Sequence, residues 1–234
     1  METERIFEEI RSGLAKIEAA SAFLYGSRAR GDFNAWSDFE VGVVFPDERY
    51  LRRADLQELV RVEDVTFYPF KLSEFLAGTP NVPFQKGFFM RELAETAETV
   101  FGEDLVKTLK VKLSTLDIAQ ELRFNIGRAF AGFLSMRSGD LKTANDCACK
   151  SCLFGLRAFE VFKFRVFAKS YTEIYDLSQK LGLDSDFVEL IDAVHRYRED
   201  GEMIEAKLFY RCMSLLDSFE REVLDDLAKN GNKE

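Results

Sequence analysis

The residues best equipped for chemistry lie in one stretch, LYGSRARGDFNAWSDFEVGVVF, residues 24–45. Gly26-Ser27 stands where an apolar run ends and a short helical segment begins, so backbone N–H groups there can point at an anion. Glycine lets a phosphate approach the backbone closely, and the Ser27 hydroxyl adds a donor. Arg28 and Arg30 bring positive charge beside it. Further on, a strand opens with Asp38 and Glu40. Residues two apart on a strand face the same way, roughly 7 Å along the chain, so both carboxylates converge on one spot. Two hard carboxylates beside a phosphate cradle suit Mg²⁺ (or Mn²⁺), with phosphate oxygens completing the coordination.

Each part has an ordinary use elsewhere. A lone Gly-Ser is commonly a turn, and Asp-x-Glu on a strand is commonly a solvated face. Here the strand runs on through Val41-Gly42-Val43-Val44-Phe45, which is too apolar for a water-exposed edge. Acids at the mouth of a buried strand require a compensating cation.

The elements that must hold these residues follow from periodicity. Ile6, Phe7, Ile10, Leu14 and Ile17 form one stripe of a helix over 3–19. Ser21–Tyr25 reads as a strand, Ser27–Gly31 as a helical turn and Asp38–Phe45 as a second strand. A helix over 48–60 and a strand over Val62–Tyr68, stopped by Pro69, complete an α/β pattern with a small mixed sheet. GTPNVPFQKG, residues 78–87, is a loop, and a helix over 88–98 precedes a boundary near 107–115. Beyond it the period is helical throughout, over 116–137, 141–169, 171–181, 186–199 and 202–229, with Asp140 and Asp184 as N-caps. The reading is two domains: residues 1–110 carry the α/β chemistry, and residues 111–234 form an all-α helical bundle. A second ligand, whether small molecule, protein or RNA end, is expected between them, because the sheet half alone offers little enclosed surface.

The segment resembles the signature of the nucleotidyltransferase superfamily related to DNA polymerase β: Gly-Ser, a short helix with a glycine, then Ser-Asp-x-Asp/Glu. Gly26, Ser27, Arg28, Gly31, Ser37, Asp38 and Glu40 fall on that pattern. It is closest to the minimal and aminoglycoside nucleotidyltransferases. Most relatives carry Asp where this chain has Glu40, although the kanamycin type also has Glu there. The resemblance covers about residues 20–105. It implies a third carboxylate on a neighbouring strand, where Glu63 and Asp64 are both available. Strand alternation favours Asp64, since it would leave Val65 and Phe67 to pack against helices. It further implies a nucleoside triphosphate bound through Gly26, Ser27, Arg28, Arg30 and Ser37. Mg²⁺ would be held by Asp38, Glu40 and Asp64, and an unidentified acceptor hydroxyl would be nucleotidylated with release of pyrophosphate.

Residues 117–229 resemble a HEPN-type bundle, a frequent companion of minimal nucleotidyltransferases. The Arg-then-His ribonuclease signature of that group is missing, because Val188, Glu189 and Leu190 occupy the positions upstream of His195, the single histidine. A rival reading follows: a catalytically weak or inactive nucleotide-binding regulator related to fused toxin–antitoxin modules.

Composition sets outer bounds. The 234 residues include 47% hydrophobic and 31% charged residues with 23 Phe, which excludes disordered and fibrous classes. The net charge is −9, shared by both halves, so neither is expected to bind nucleic acid generally. No apolar run approaches the ~18 residues of a membrane span, and the acidic start does not resemble a signal peptide. A cytoplasmic protein is expected, with a homodimer open through the Phe-rich stretch at residues 154–167. Cys147, Cys149 and Cys152 invite a metal reading, with Cys212 as a distant fourth ligand. Their setting reads as one continuous helix, where Cys147 and Cys149 point to nearly opposite sides, so reduced thiols are expected instead.

Overall fold

A computed structural model describes residues 2–34 and 37–230. The chain separates into two units, Met1–Lys112 and Leu113–Glu234. In the first, α1 (Glu2–Leu14) leads to β1 (Ser21–Tyr25), α2 (Gly26–Arg30) and β2 (Phe39–Phe45). A 3₁₀ turn at Asp47–Arg49 precedes α3 (Arg53–Leu59) and β3 (Val65–Lys71). Then come α4 (Leu72–Leu76), α5 (Lys86–Thr96) and β4 (Glu98–Gly102).

The four strands form one mixed sheet in the order β3-β2-β1-β4. β1 is antiparallel to β2 and to β4, and β2 is parallel to β3. The apolar run that suggested a buried strand is indeed interior: every residue of β2 is buried except Glu40. Val41, Val43, Phe45, Val65 and Phe67 turn to one face, against Ile6, Ile10 and Leu14 of α1 and Leu56 of α3. Phe23, Val44 and Phe70 turn to the other, against Phe75 of α4 and Phe89, Met90 and Leu93 of α5. By alternation Tyr25, Glu40, Gly42, Thr66 and Tyr68 share that second face. Gly42 is required there, because a Cβ would stand 2.3 Å from Cζ of Phe23.

Three expectations need correction. The strand expected over 62–68 runs from Val65 to Lys71 and passes straight through Pro69. β3 is an edge strand, paired on one side only, so a missing N–H costs it little. The helix expected over 48–60 is divided, since Asp47 is taken up by Ser73, whose N–H donates to Oδ1 at 3.0 Å. The last helical turns expected in 3–19 and 141–169 are absent, and Glu18 and Arg165 instead adopt positive φ (54° and 58°).

The second unit is all helical: α6 (Thr115–Arg137), α7 (Leu141–Phe164), α8 (Tyr171–Ser178), α9 (Ser185–Asp200) and α10 (Ala206–Asn230). Asp140 caps α7 by accepting from the Thr143 N–H at 3.1 Å. Asp184 stands at the N-cap of α9 without a side-chain capping bond. α7 is the central member. Gly155 lets Leu216 of α10 come so close that a Cβ would lie 2.0 Å from it, and Phe159 stacks on Phe219 with centroids 3.9 Å apart. Cys147, Cys149 and Cys152 lie on this unbroken helix, all as free thiols. His195 is half-buried, stacked on Tyr175 at 4.2 Å and 3.2 Å from Glu199, not on a fully solvated face. No helix among the described residues is long and apolar enough to cross a membrane.

α7 also buries Glu160 completely, with neither carboxyl oxygen hydrogen-bonded. Burial pushes this group from 4.5 up to about 8, against a smaller opposing pull from Arg157. The folded unit therefore keeps a proton that the unfolded chain releases, and stability should fall as pH rises from about 4.5 to about 8. Denaturant unfolding at both ends of that window should show the slope, and Glu160→Gln should flatten it. The variant should gain on the order of 1–3 kcal/mol over the native chain at the alkaline end. In the sheet, Gly42→Ala should destabilise by about 1–3 kcal/mol in urea unfolding, through the collision with Phe23.

Candidate active site

The site begins where β1 ends. Tyr25 is still extended, and Gly26, at φ 75°, turns the chain into α2. The antiparallel register places Tyr25 opposite Glu40. As a result Glu40 Oε2 occupies the space a side chain on Gly26 would need: a Cβ there would be 2.0 Å from it. Ser27 is the second residue of α2, half-buried, and Gly31 (φ 79°) closes that helix. The carboxylate of the central strand and the glycine turn are thus in direct contact.

The loop between α2 and β2 is held by the motif's own polar residues. Arg28 donates from Nε (3.1 Å) and Nη2 (2.8 Å) to the Ser37 carbonyl, and its guanidinium lies 4.5 Å from the Phe33 ring and 4.4 Å from Phe39. The Ser37 hydroxyl accepts from the Asn34 N–H and donates to Asn34 Oδ1, each at 3.0 Å. Arg30 is almost wholly buried, its side chain 4% exposed, in ion pairs with Asp32 (2.9 Å) and Glu92. Arg28, Arg30 and Ser37, expected at a nucleotide, are thus placed beside the Gly26 turn, each with a protein partner for at least one polar group.

Asp38 is exposed one residue before β2, and its Oδ2 accepts from Thr66 Oγ1 at 2.5 Å. Thr66 stands opposite Glu40 in the parallel register, so Asp38 and Glu40 address the same face. Asp64 does not lie on the strand as expected. It and Glu63 form an exposed turn, with Asp64 at φ 59° and its carbonyl accepting from the Phe39 N–H at 2.8 Å. Its backbone is beside Asp38, but the alternation that favoured it over Glu63 does not apply. Among the described residues no three His, Cys, Asp or Glu side chains gather as a metal-holding group. The oxygen pair Asp38/Glu40, with Glu40 set against a glycine where a side chain is excluded, would fit a hard divalent cation whose remaining ligands a phosphate could supply.

Three neighbours carried no sequence signal. Tyr68 meets Tyr25 edge-on at 5.8 Å. Burial and then the Glu40 charge push Tyr25 well above its ordinary value. Burial and then Glu40 raise Tyr68 too, and Arg53 opposes the shift. The Arg53 guanidinium lies 4.5 Å from the Tyr68 ring. Only strand pairing reveals that residues 25, 40, 66 and 68 share a face.

Set beside known proteins, residues 4–129 match the family described as Nucleotidyltransferase domain. That is more than half of the chain, and the protein belongs to this family. No curated protein matches the sequence. Among solved structures, the fold resembles that of a spectinomycin adenyltransferase from Enterococcus faecialis, determined with ATP and spectinomycin. The TM-score is 0.62 at 11% identity, covering 93% of this chain and 99% of that one. A nucleotidyltransferase-like protein from Exiguobacterium sibiricum 255-15 matches at TM-score 0.36 and 12% identity, over 98% of this chain and 77% of that one. A toxin–antitoxin with AMP-PNP matches at 0.32 and 17%, over 42% and 75%.

If Arg28 is a brace for the loop, Arg28→Ala should lower stability by about 1.5–3 kcal/mol, the worth of charged hydrogen bonds. The Ser37 amide should exchange faster in hydrogen–deuterium measurements, while amides in the middle of β2 keep their protection.

Proposed function

We propose that the protein transfers a nucleoside monophosphate from a nucleoside triphosphate to an acceptor hydroxyl, with release of pyrophosphate, in the cytoplasm. The observation that carries this reading is the contact of Glu40 with the bare Cα of Gly26. It sets a carboxylate for a cation directly against a turn open to phosphate. Asp38 and Glu40 would hold Mg²⁺ or Mn²⁺, which supplies charge neutralisation on the phosphates and polarises the phosphoryl group under attack. Gly26 and Ser27 would steady the outer phosphates through backbone N–H groups and the hydroxyl. The acceptor oxygen forms a bond to the α-phosphorus, and the bond to the bridging oxygen breaks, so that pyrophosphate leaves with the electron pair. Asp64, whose backbone adjoins Asp38, is our choice to take the acceptor proton.

The fold shared with a spectinomycin adenyltransferase supports a small hydroxylated acceptor. We read the helical unit as HEPN-like, on its five-helix succession and the resemblance of its sequence.

The test is transfer from labelled triphosphates with Mg²⁺ across a panel of hydroxylated acceptors, scored by product and by pyrophosphate. Removing either acid, as Asp38→Ala or Glu40→Ala, should cost roughly 100- to 1000-fold. Gly26→Ala should also fall steeply, because its methyl group displaces Glu40. Equal transfer by the native chain and the double acid variant would remove the assignment.

A further inference from the structure

A triphosphate carries several negative charges, and the motif's two arginines are occupied, Arg28 on the Ser37 carbonyl and Arg30 on Asp32 and Glu92. Another guanidinium stands on the same face. Arg53 is the first residue of α3 and is exposed. Its position is fixed from one turn further along the helix. There Gln57 donates to the Val65 carbonyl (2.9 Å) and accepts from the Phe67 N–H (3.2 Å), pairing with the free edge of β3. That lock sets Arg53 over the Tyr68 ring at 4.5 Å. Tyr68 adjoins Tyr25, which stands opposite Glu40 in the sheet. Its neighbour Arg52 is tied to Asp55 at 2.8 and 3.0 Å, whereas Arg53 makes no ion pair among the described residues.

We propose that Arg53 is a substrate-binding residue of this site, its guanidinium gripping a phosphate of the bound nucleoside triphosphate. Arg53 also hydrogen-bonds to Tyr68, which engages one side of the planar group; a guanidinium has five N–H donors and can offer two parallel ones to a phosphate where an ammonium offers a point charge. An aromatic shelf restricts the rotamers of the long side chain before substrate arrives, so less entropy is lost on binding. The proposal rests on the nucleotidyltransferase reading above and adds to it a residue outside the Gly-Ser and Asp-x-Glu signature.

The experiment measures the dissociation constants of Mg²⁺–ATP and Mg²⁺–GTP by calorimetry, with inorganic pyrophosphate as competitor. The proteins compared are the native chain, Arg53→Met, Arg53→Lys and Asp38→Ala/Glu40→Ala. Met keeps the apolar contact with Tyr68 and drops the charge. It should weaken the tighter-binding triphosphate by about 10- to 100-fold, weaken pyrophosphate in parallel, and leave the thermal midpoint unchanged. Lys should recover part of the loss. If Arg53→Met binds the triphosphate as well as the native chain does, the proposal is overturned while the assignment of Asp38 and Glu40 stands. The same holds if the variant only gains affinity for Mn²⁺ alone, because Arg53 would then be a counter-charge to the two acids. If the native chain binds no triphosphate with Mg²⁺, or binds it as well without the two acids, the functional reading itself fails and this proposal goes with it.

Discussion

Everything chemical in the first unit depends on one close approach, that of the Glu40 carboxylate to the unsubstituted Cα of Gly26. Two constraints produce it. The antiparallel register of β1 and β2 puts residue 25 opposite residue 40, so the last residue of one strand meets the second residue of the other. The chain must then leave β1 with positive φ, which only glycine adopts without strain. Any other residue would need both a disfavoured backbone and the volume that Glu40 fills. The rest of the sheet serves this meeting. Helices cover both faces of β2, and its polar end is the place where a carboxylate escapes full burial.

How much of this could be read in advance depends on whether a signal was local. The Gly-Ser turn, the acid pair and the apolar interior of β2 are contiguous in sequence, and their residue types announce their environment. The helix cap at Asp140 and most helix spans are likewise local, whereas Asp184, expected as a second cap, makes no side-chain capping bond. β3 was misplaced because Pro69 ordinarily stops a strand, and its tolerance here comes from having a partner on one side only, a property of the sheet order. Thr66, Tyr68 and Arg53 were invisible for a related reason. Nothing in VEDVTFYPF reveals which strand it will pair with, and the grouping of these residues exists only once β3 lies parallel to β2.

The arginines show a different failure. Two cations beside a phosphate turn suggest ligand contacts by residue type alone. Yet the ten-residue connection from Arg28 to Ser37 leaves polar backbone to be satisfied, and a guanidinium with several donors is well suited to that. Arg28 is flanked by Phe33 and Phe39, and Arg30 is buried with Asp32 and Glu92, so both guanidiniums tie described residues on either side of the turn to one another. The acid pair at the start of β2 therefore follows Ser37, whose carbonyl and hydroxyl are held by Arg28 and Asn34. Holding metal-binding oxygens in advance is itself a contribution to binding, because the ordering entropy has been lost on folding. In that sense charge in the motif would act on a bound nucleotide through the backbone it fixes.

An acidic protein with a site for a polyanion looks contradictory, and the length scale of electrostatics removes the conflict. At physiological ionic strength charges are screened over about 8 Å, so the net charge of −9 is felt weakly at a turn between two strands. What would matter there is the local set: backbone N–H groups, a hydroxyl, any divalent cation held by the two carboxylates and, on the proposal above, the guanidinium of Arg53. Such a set suits a compact ligand whose charge is concentrated in one phosphate chain. A long nucleic acid instead needs cations spread along a surface to replace its counterions, whereas the net charge here is negative. Acids that would repel an extended polyanion are thus also the groups that would hold a cation for a compact one, and the size of the anion decides which effect prevails.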